Sequence, residues 1–134
     1  MTPEALLETA RDAMTRAYAP YSLCKVGAAL LCDDGSVYTG CNIENASFSP
    51  TVCAERTAFF KAISDGKRGF QAIAVVGGKN GIISGLFPPC GVCRQVMREF
   101  CGDDFRIHLC GADGEVLTRT LSELLPLSFS PEHV

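Results

Sequence analysis

The chain of 134 residues has no hydrophobic run long enough to cross a membrane. Its longest apolar stretch, residues 26–32, is far shorter than the roughly 20 residues that a transmembrane helix needs. The first twenty residues carry five charged side chains, which excludes the apolar region of a secretory signal. The sequence therefore predicts a cytoplasmic protein with no membrane partner.

Positive charge is also scarce. Lys and Arg total 12 against 15 Asp and Glu, which gives a formal net charge of −3. Proteins that bind nucleic-acid backbones obtain much of their affinity from clustered positive charge. The charge balance therefore predicts no nucleic-acid partner.

Histidine occurs only twice, and we interpret His108, in a predicted strand, and His133, in the tail, as structural or exposed. Cysteine, in contrast, occurs eight times. In a reducing compartment so many thiols favour metal binding or catalysis over disulfides. The candidate metal ligands are therefore cysteines.

The chain is predicted to form one domain, residues 1–134, without internal repeats. Helical spacing predicts helices over residues 3–18, about 53–65, 91–100 and 121–125. Extended runs predict strands over residues 26–32, 37–43, 70–76, 106–110 and 116–120, the first two forming an antiparallel hairpin. This order predicts an α/β fold, a three-layer αβα sandwich with a mixed sheet of about five strands. The central strand–helix–strand unit should be a right-handed parallel crossover.

Two short motifs supply a candidate metal site. Cys53-Ala54-Glu55 is predicted to begin one helix, and Pro89-Cys90-Gly91-Val92-Cys93 another. Three cysteine ligands would leave the fourth position of a tetrahedral zinc ion free for water, whereas a structural zinc site has a fourth protein ligand. Glu55 would be the proton carrier beside the metal. Because residues two apart on a helix do not face each other, Cys53 should precede the helix in non-helical backbone.

Each motif alone admits a simpler interpretation. A lone Cys-x-x-Cys is compatible with a redox pair or with half of a structural zinc site, but neither explains Cys53 and Glu55 at the start of another helix. Without a metal, Glu55 would be an ordinary glutamate favoured by the helix dipole. Arg56 and Arg94, each adjacent to a cysteine, are candidates to donate to the sulfurs, although Arg94 is equally compatible with a surface position.

The motifs resemble those of the small zinc-dependent cytidine deaminases, over nearly the whole chain. The matching segments are Tyr21-Ser22, Val26-Gly27-Ala28-Ala29-Leu30, Gly40-Cys41-Asn42-Ile43-Glu44-Asn45-Ala46, Cys53-Ala54-Glu55-Arg56-Thr57-Ala58 and Cys93-Arg94-Gln95-Val96. The resemblance implies hydrolysis of free cytidine and 2′-deoxycytidine, a homotetramer and a role in pyrimidine salvage. It also implies one Zn²⁺ per subunit, held by Cys53, Cys90 and Cys93, with Glu55 as the catalytic acid and base.

The same resemblance implies the substrate contacts. Asn42 and Glu44 match residues that hold the ribose hydroxyls, and Ala54 is a further substrate contact. Phe129 matches an aromatic residue that packs near the base in the assembled oligomer. A carboxylate accepts a hydrogen bond from a free hydroxyl but repels a phosphate, so Glu44 favours a free nucleoside over a polymer. If extended geometry continues, Asn42 and Glu44 lie on one face of their strand.

Two features depart from the family pattern. Cys24 stands where the family usually has phenylalanine, so an aromatic contact beside the base is missing, and the loop over residues 77–89 is long. Both bear on the preferred substrate. Three alternatives therefore stay open: a deaminase of a modified cytosine nucleoside of the antibiotic type, a deaminase that edits nucleic acid, and a non-catalytic module stabilised by zinc.

Overall fold

Five strands and four α-helices make up the chain in the computed structural model, which describes residues 1–134. The strands are β1 Cys24–Cys32, β2 Val37–Cys41, β3 Phe70–Lys79, β4 Arg106–Cys110 and β5 Val116–Thr120. The helices are α1 Pro3–Met14, α2 Ala54–Ser64, α3 Gly91–Phe100 and α4 Leu121–Leu124, followed by a 3-10 helix at Pro131–His133. None of these helices is both long enough and apolar enough to span a membrane.

The strands form one mixed sheet in the order β2-β1-β3-β4-β5. β1 pairs antiparallel with β2 and with β3, β3 pairs parallel with β4, and β5 is antiparallel to β4. The predicted hairpin is the β1–β2 pair. The parallel pair β3 and β4 is connected through α3, as the crossover prediction requires.

Helices cover both faces of the sheet and give the predicted three layers. On one face, Leu6 and Ala10 of α1 belong to a buried cluster that includes Ala29 of β1. On the other face, Phe59 of α2 and Met97 of α3 belong to a second cluster. Phe59 lies among three further rings, with centroid distances of 5.1 Å to Phe70, 6.4 Å to Phe100 and 6.1 Å to Phe105.

Gly40 of β2 fixes how closely the first turn of α2 approaches the sheet. A Cβ atom at this position would lie 2.3 Å from the Ala54 carbonyl oxygen and 2.6 Å from the Ala58 nitrogen. Only glycine, which has no Cβ atom, allows the backbone of α2 to approach β2 so closely. Because Cys53 and Glu55 flank Ala54, this contact also sets the position of the predicted site.

Several element boundaries differ from the prediction. α1 ends at Met14, and the next three residues continue in turns with N–H groups bonded three residues back. β2 ends at Cys41, two residues early, and β1 begins at Cys24, two residues early. β3 runs on to Lys79, because Gly77 and Gly78 pair with β1. Three residues of the predicted long loop therefore belong to a strand.

Candidate metal centre and active site

The two cysteine motifs meet at the N-termini of α2 and α3. Cys53 is the N-cap of α2, with φ −71° and ψ 156°, and Cys90 is the N-cap of α3, with φ −70° and ψ 170°. Cys93 lies in the first turn of α3 and is buried. Cys53 thus precedes its helix in extended backbone, which is the geometry that the spacing of Cys53 and Glu55 requires.

The three sulfur atoms have the spacing of a zinc site. The Sγ atoms of Cys53 and Cys90 are 3.8 Å apart, and the Sγ atoms of all three cysteines lie within 4.8 Å of one another. Three sulfurs about 2.3 Å from a tetrahedral zinc ion would stand about 3.8 Å apart. A disulfide would need about 2 Å, and all eight cysteines are free. The cluster therefore fits a zinc ion with three protein ligands.

Neither histidine belongs to this cluster. His108 is buried in β4, where its Nδ1 lies 2.8 Å from Thr118 Oγ1, and burial lowers its pKa. His133 lies in the C-terminal 3-10 helix. With no fourth Cys or His in the cluster, one coordination position of a zinc ion stays open, as in catalytic and not structural sites.

Hydrogen bonds and a nearby arginine favour thiolate at Cys53. Arg56 Nη2 donates to Cys53 Sγ at 3.4 Å. Hydrogen bonding from Cys93, and then from Arg56, lowers the pKa of Cys53 to about 5, whereas donating to Cys53 raises the pKa of Cys93. The unpaired N–H groups at the two helix N-termini also favour negative charge. Arg56 thus stands where the sequence suggests, beside a sulfur.

Arg94 does not contact a sulfur, so that suggestion is wrong. Its Nε donates to the Pro89 carbonyl at 2.8 Å and its Nη1 to the Leu124 carbonyl at 2.7 Å. The side chain therefore connects the residue before Cys90 to the end of α4. Its effect on the cluster is to hold the backbone that carries Cys90.

Glu55 is buried beside the thiols. The residue is 4% exposed, lies in the first turn of α2 and borders the same cavity as Cys53 and Cys90. Burial, with a smaller contribution from the charge of Cys53, raises the pKa of Glu55 to about 7. A carboxyl group with such a pKa can take up and release a proton near neutral pH, which acid–base catalysis requires.

A cavity of about 240 Å³ opens over these groups. This volume is just below the range of about 300–1,000 Å³ of most small-molecule sites, and it suits a compact ligand. A larger cavity of about 690 Å³ beside the C-terminal segment contains none of the three clustered cysteines. The smaller cavity brings together six of the predicted site residues, Asn42, Glu44, Cys53, Ala54, Glu55 and Cys90.

Asn42 borders this cavity while joining two backbone groups of β1. Its Oδ1 accepts from the Val26 N–H at 2.8 Å, and its Nδ2 donates to the Cys24 carbonyl at 2.8 Å. An amide has two donors and two acceptor positions, so one N–H of Nδ2 is not used by these contacts. Asn42 is 8% exposed, and its orientation is therefore fixed by the sheet.

Glu44 is held in place by hydrogen bonds from Tyr21 and Ser22, which lie far from it in the sequence. Its Oε1 accepts from the backbone N–H groups of Tyr21 at 2.9 Å and Ser22 at 3.1 Å, and its Oε2 accepts from the Ser22 hydroxyl. These donors lower the pKa of Glu44, so it is a carboxylate at neutral pH. Oε2 keeps an acceptor position for a ligand hydroxyl.

Phe129 does not border the cavity of its own chain. It is 62% exposed, its ring stacks on His133 at a centroid distance of 5.4 Å, and its carbonyl accepts from Gln95 Nε2 at 2.9 Å. Contact with a base would need a second copy of the chain, so this role stays a prediction. Ser22 and Phe87 are among the cavity residues to which the sequence motifs assign no substrate contact. Ser22 lies in one of the segments that match the family, and Phe87 lies three residues before Cys90.

Comparisons with known proteins agree with this geometry. Residues 1–109 match the family model described as the cytidine and deoxycytidylate deaminase zinc-binding region. Cytidine deaminases from Sporosarcina psychrophila and Halalkalibacterium halodurans are each 50% identical to the chain over 132 residues. These matches cover 98% of this chain and 94% and 97% of the relatives.

A solved structure supports the same fold. The cytidine deaminase from Burkholderia pseudomallei is 48% identical, with a TM-score of 0.88 over 96% of this chain and 100% of that one. A blasticidin-S deaminase from Bacillus cereus is 30% identical over 93% of this chain and 90% of its own length. The predicted fold class and the zinc cofactor are confirmed. Matched by a zinc-binding family model and by full-length relatives, the chain belongs to the zinc-dependent cytidine deaminase family.

Proposed function

We propose that this protein deaminates free cytidine and 2′-deoxycytidine by hydrolysis, with release of ammonia. The observation that carries the proposal is the placement of Glu55, a buried carboxyl group, in one cavity with cysteines spaced for zinc. The two relatives at 50% identity are both named cytidine deaminase, which supports the same substrate here.

In the proposed mechanism the metal activates a water molecule and one carboxyl group transfers the protons. Cys53, Cys90 and Cys93 would hold the zinc ion, which would lower the pKa of a bound water to about 7 and so supply hydroxide at neutral pH. Glu55 takes the proton that this water releases and transfers it to the ring nitrogen beside the amino-bearing carbon. The oxygen of that water bonds to the amino-bearing carbon. Glu55 then moves the remaining proton of the new hydroxyl group to the amino nitrogen, so that the C–N bond breaks and ammonia leaves as the C=O bond forms. The same carboxyl group serves as base and as acid, because burial holds its pKa near neutrality.

Asn42 and Glu44 are proposed to bind the ribose. Asn42 offers the unused N–H of its Nδ2, and Glu44 offers the free acceptor position of Oε2. A 3′-phosphate at this position would meet the Glu44 carboxylate, so a nucleotide within a polymer is disfavoured. We propose that Ala54, at the start of α2 beneath the same cavity, completes the substrate contacts.

Replacing Glu44 with glutamine is expected to raise KM for cytidine about 10-fold or more, because a charge-assisted hydrogen bond to a ribose hydroxyl is lost. Glutamine keeps an oxygen for the N–H groups of Tyr21 and Ser22. Steady-state kinetics with 2′,3′-dideoxycytidine supply the comparison, since that substrate lacks both hydroxyls. We expect wild type and variant to have similar KM for it. Equal KM increases with both substrates would contradict the assignment, and exposed Glu99→Gln is the matched control.

We propose that the protein assembles as a homotetramer. Three large apolar side chains near the cavity are exposed, Ile43 at 46%, Phe48 at 65% and Phe60 at 48%. Ile43, Phe60 and Glu44 also border a second, open cavity of about 530 Å³. Association over this face would cover these side chains and provide a second chain for the proposed contact of Phe129. Sedimentation velocity checks the assembly, and a monomer at micromolar concentration would contradict it.

Residues 1–134 are proposed to act as one cytoplasmic unit in pyrimidine salvage, without nucleic-acid or membrane partners. The net charge of −3 supports the absence of a nucleic-acid partner. The carboxylate of Glu44 supports the same conclusion through its repulsion of phosphate.

The proposed function is tested by ammonia release from four substrates: cytidine, 2′-deoxycytidine, blasticidin S and a single-stranded oligonucleotide containing cytosine. We expect turnover of the first two. Turnover of blasticidin S alone would favour the antibiotic-type alternative, which the relative at 30% identity keeps relevant. Turnover of the oligonucleotide alone would favour an editing enzyme. Stoichiometric zinc without ammonia from any substrate would favour a non-catalytic module.

A further inference from the structure

We infer that Phe87 forms the aromatic wall of the substrate cavity and sets the affinity for the cytosine ring, an inference that rests on the proposed function. Phe87 is the one aromatic residue that lines the cavity containing Glu55 and Cys90. It precedes Cys90 by three residues, which places its backbone within about 10 Å of that cysteine. Phe87 therefore lies on the segment of the cavity lining that leads into Cys90.

The ring of Phe87 is seated on the sheet. A Cβ atom added at Gly77 would lie 2.9, 3.0 and 3.1 Å from the Cγ, Cδ1 and Cδ2 atoms of Phe87. Glycine is therefore what lets the ring lie on β3 at this point. Gly77 pairs with Val26 of β1, which also lines the cavity. The half-buried Phe87 also packs against the core cluster that contains Phe59, and this contact helps to hold its side chain in place.

The side chains that β1 contributes to the lining are small. Cys24 and Val26 are two apart on β1, so their side chains point to the same face, and both line the cavity. Neither has a ring on which a base can stack. The sugar end of the cavity is defined by Asn42 and Glu44, which are polar and anchored. Phe87 is therefore the group that is placed and shaped to contact a flat pyrimidine.

The main test is Phe87→Leu, which keeps an apolar side chain over Gly77 but removes the ring. Loss of stacking between a base and an aromatic side chain typically weakens binding about 5- to 100-fold. We expect KM for cytidine to rise about 10-fold, kcat to stay within about 3-fold and zinc content to stay unchanged. A purely structural role would lower stability without changing KM.

Phe70→Leu is the matched control. Phe70 is also half-buried and packs against the same core, with its ring centroid 5.1 Å from that of Phe59, but it does not line the cavity. Its replacement should lower the melting temperature and leave KM for cytidine unchanged. Similar KM values for the two leucine variants would overturn the inference.

A second test moves the ring without removing it. Gly77→Ala places a methyl group against three ring carbons, so the ring must shift and KM for cytidine should rise. In a Phe87→Ala background the methyl group meets no ring, and the same change should add no further rise in KM. Additive increases in KM would overturn the inference, as would a wild-type KM in Phe87→Leu or in Gly77→Ala. Failure of the wild-type enzyme to turn over cytidine would instead overturn the proposed function.

Discussion

Replacing Glu55 with glutamine is expected to lower kcat for cytidine by about 10²- to 10⁴-fold, the range that a positioned acid–base group contributes. Glutamine has the shape of glutamate but neither takes up nor releases a proton. Since Glu55 is 4% exposed, solvent has little access to replace its carboxyl group. Ammonia release measures the loss of turnover, and atomic absorption measures zinc, which we expect to stay fully bound because the three thiols are untouched.

The control for this variant is Glu99→Gln, which removes an exposed carboxyl group of α3. It should leave kcat and zinc content at wild-type values. Near-normal turnover by Glu55→Gln with zinc bound would show that another group carries the proton. Loss of zinc from the same variant would mean that Glu55 acts by retaining the metal, which also contradicts the proposed mechanism.

The metal motifs can be predicted from sequence because their geometry is local. Cys90 and Cys93 are three apart at a helix start, and the spacing of Cys53 and Glu55 requires an N-cap cysteine, which the structure shows. Their convergence depends on the strand order. α3 begins at the carboxyl end of β3, and α2 begins at the same end because it leads into β3 through a short turn. The two helix N-termini that carry the cysteines therefore lie at the same edge of the sheet.

The remaining features depend on contacts between distant segments. A strand ending at Val76 is the natural prediction before two glycines, yet β3 continues because Gly77 and Gly78 pair with β1, and Gly77 also leaves room for the ring of Phe87. Arg94 donates to a carbonyl thirty residues later in the chain, and Ser22 donates to a carboxylate twenty-two residues later. Neither partner can be identified from the residues around the donor. Periodicity and motif spacing therefore predict the elements and the ligands, but not the hydrogen bonds that orient them.

Removing one ligand thiol should abolish zinc binding and turnover together. In Cys53→Ala only two of the three clustered sulfurs remain. We expect zinc affinity to fall by more than the roughly 10- to 100-fold that loss of a hydrogen-bond partner of a metal ligand costs. For comparison, Arg56→Gln should show only this smaller loss of zinc affinity, since Arg56 donates to Cys53 Sγ without being a ligand. Competition with a chromophoric chelator measures zinc affinity for both variants, and ammonia release measures their activity.

Cys101→Ala controls for the loss of a thiol in general. Cys101 packs against the core outside the cluster, and burial raises its pKa to about 12, so its replacement should affect stability but not zinc affinity. Zinc affinity should therefore follow the order wild type, Arg56→Gln, Cys53→Ala, while Glu55→Gln stays at the wild-type value. Tight zinc binding by Cys53→Ala would exclude the three-cysteine site. Because Cys53 and Glu55 are two residues apart, only this separation of zinc binding from turnover distinguishes a metal ligand from a proton carrier.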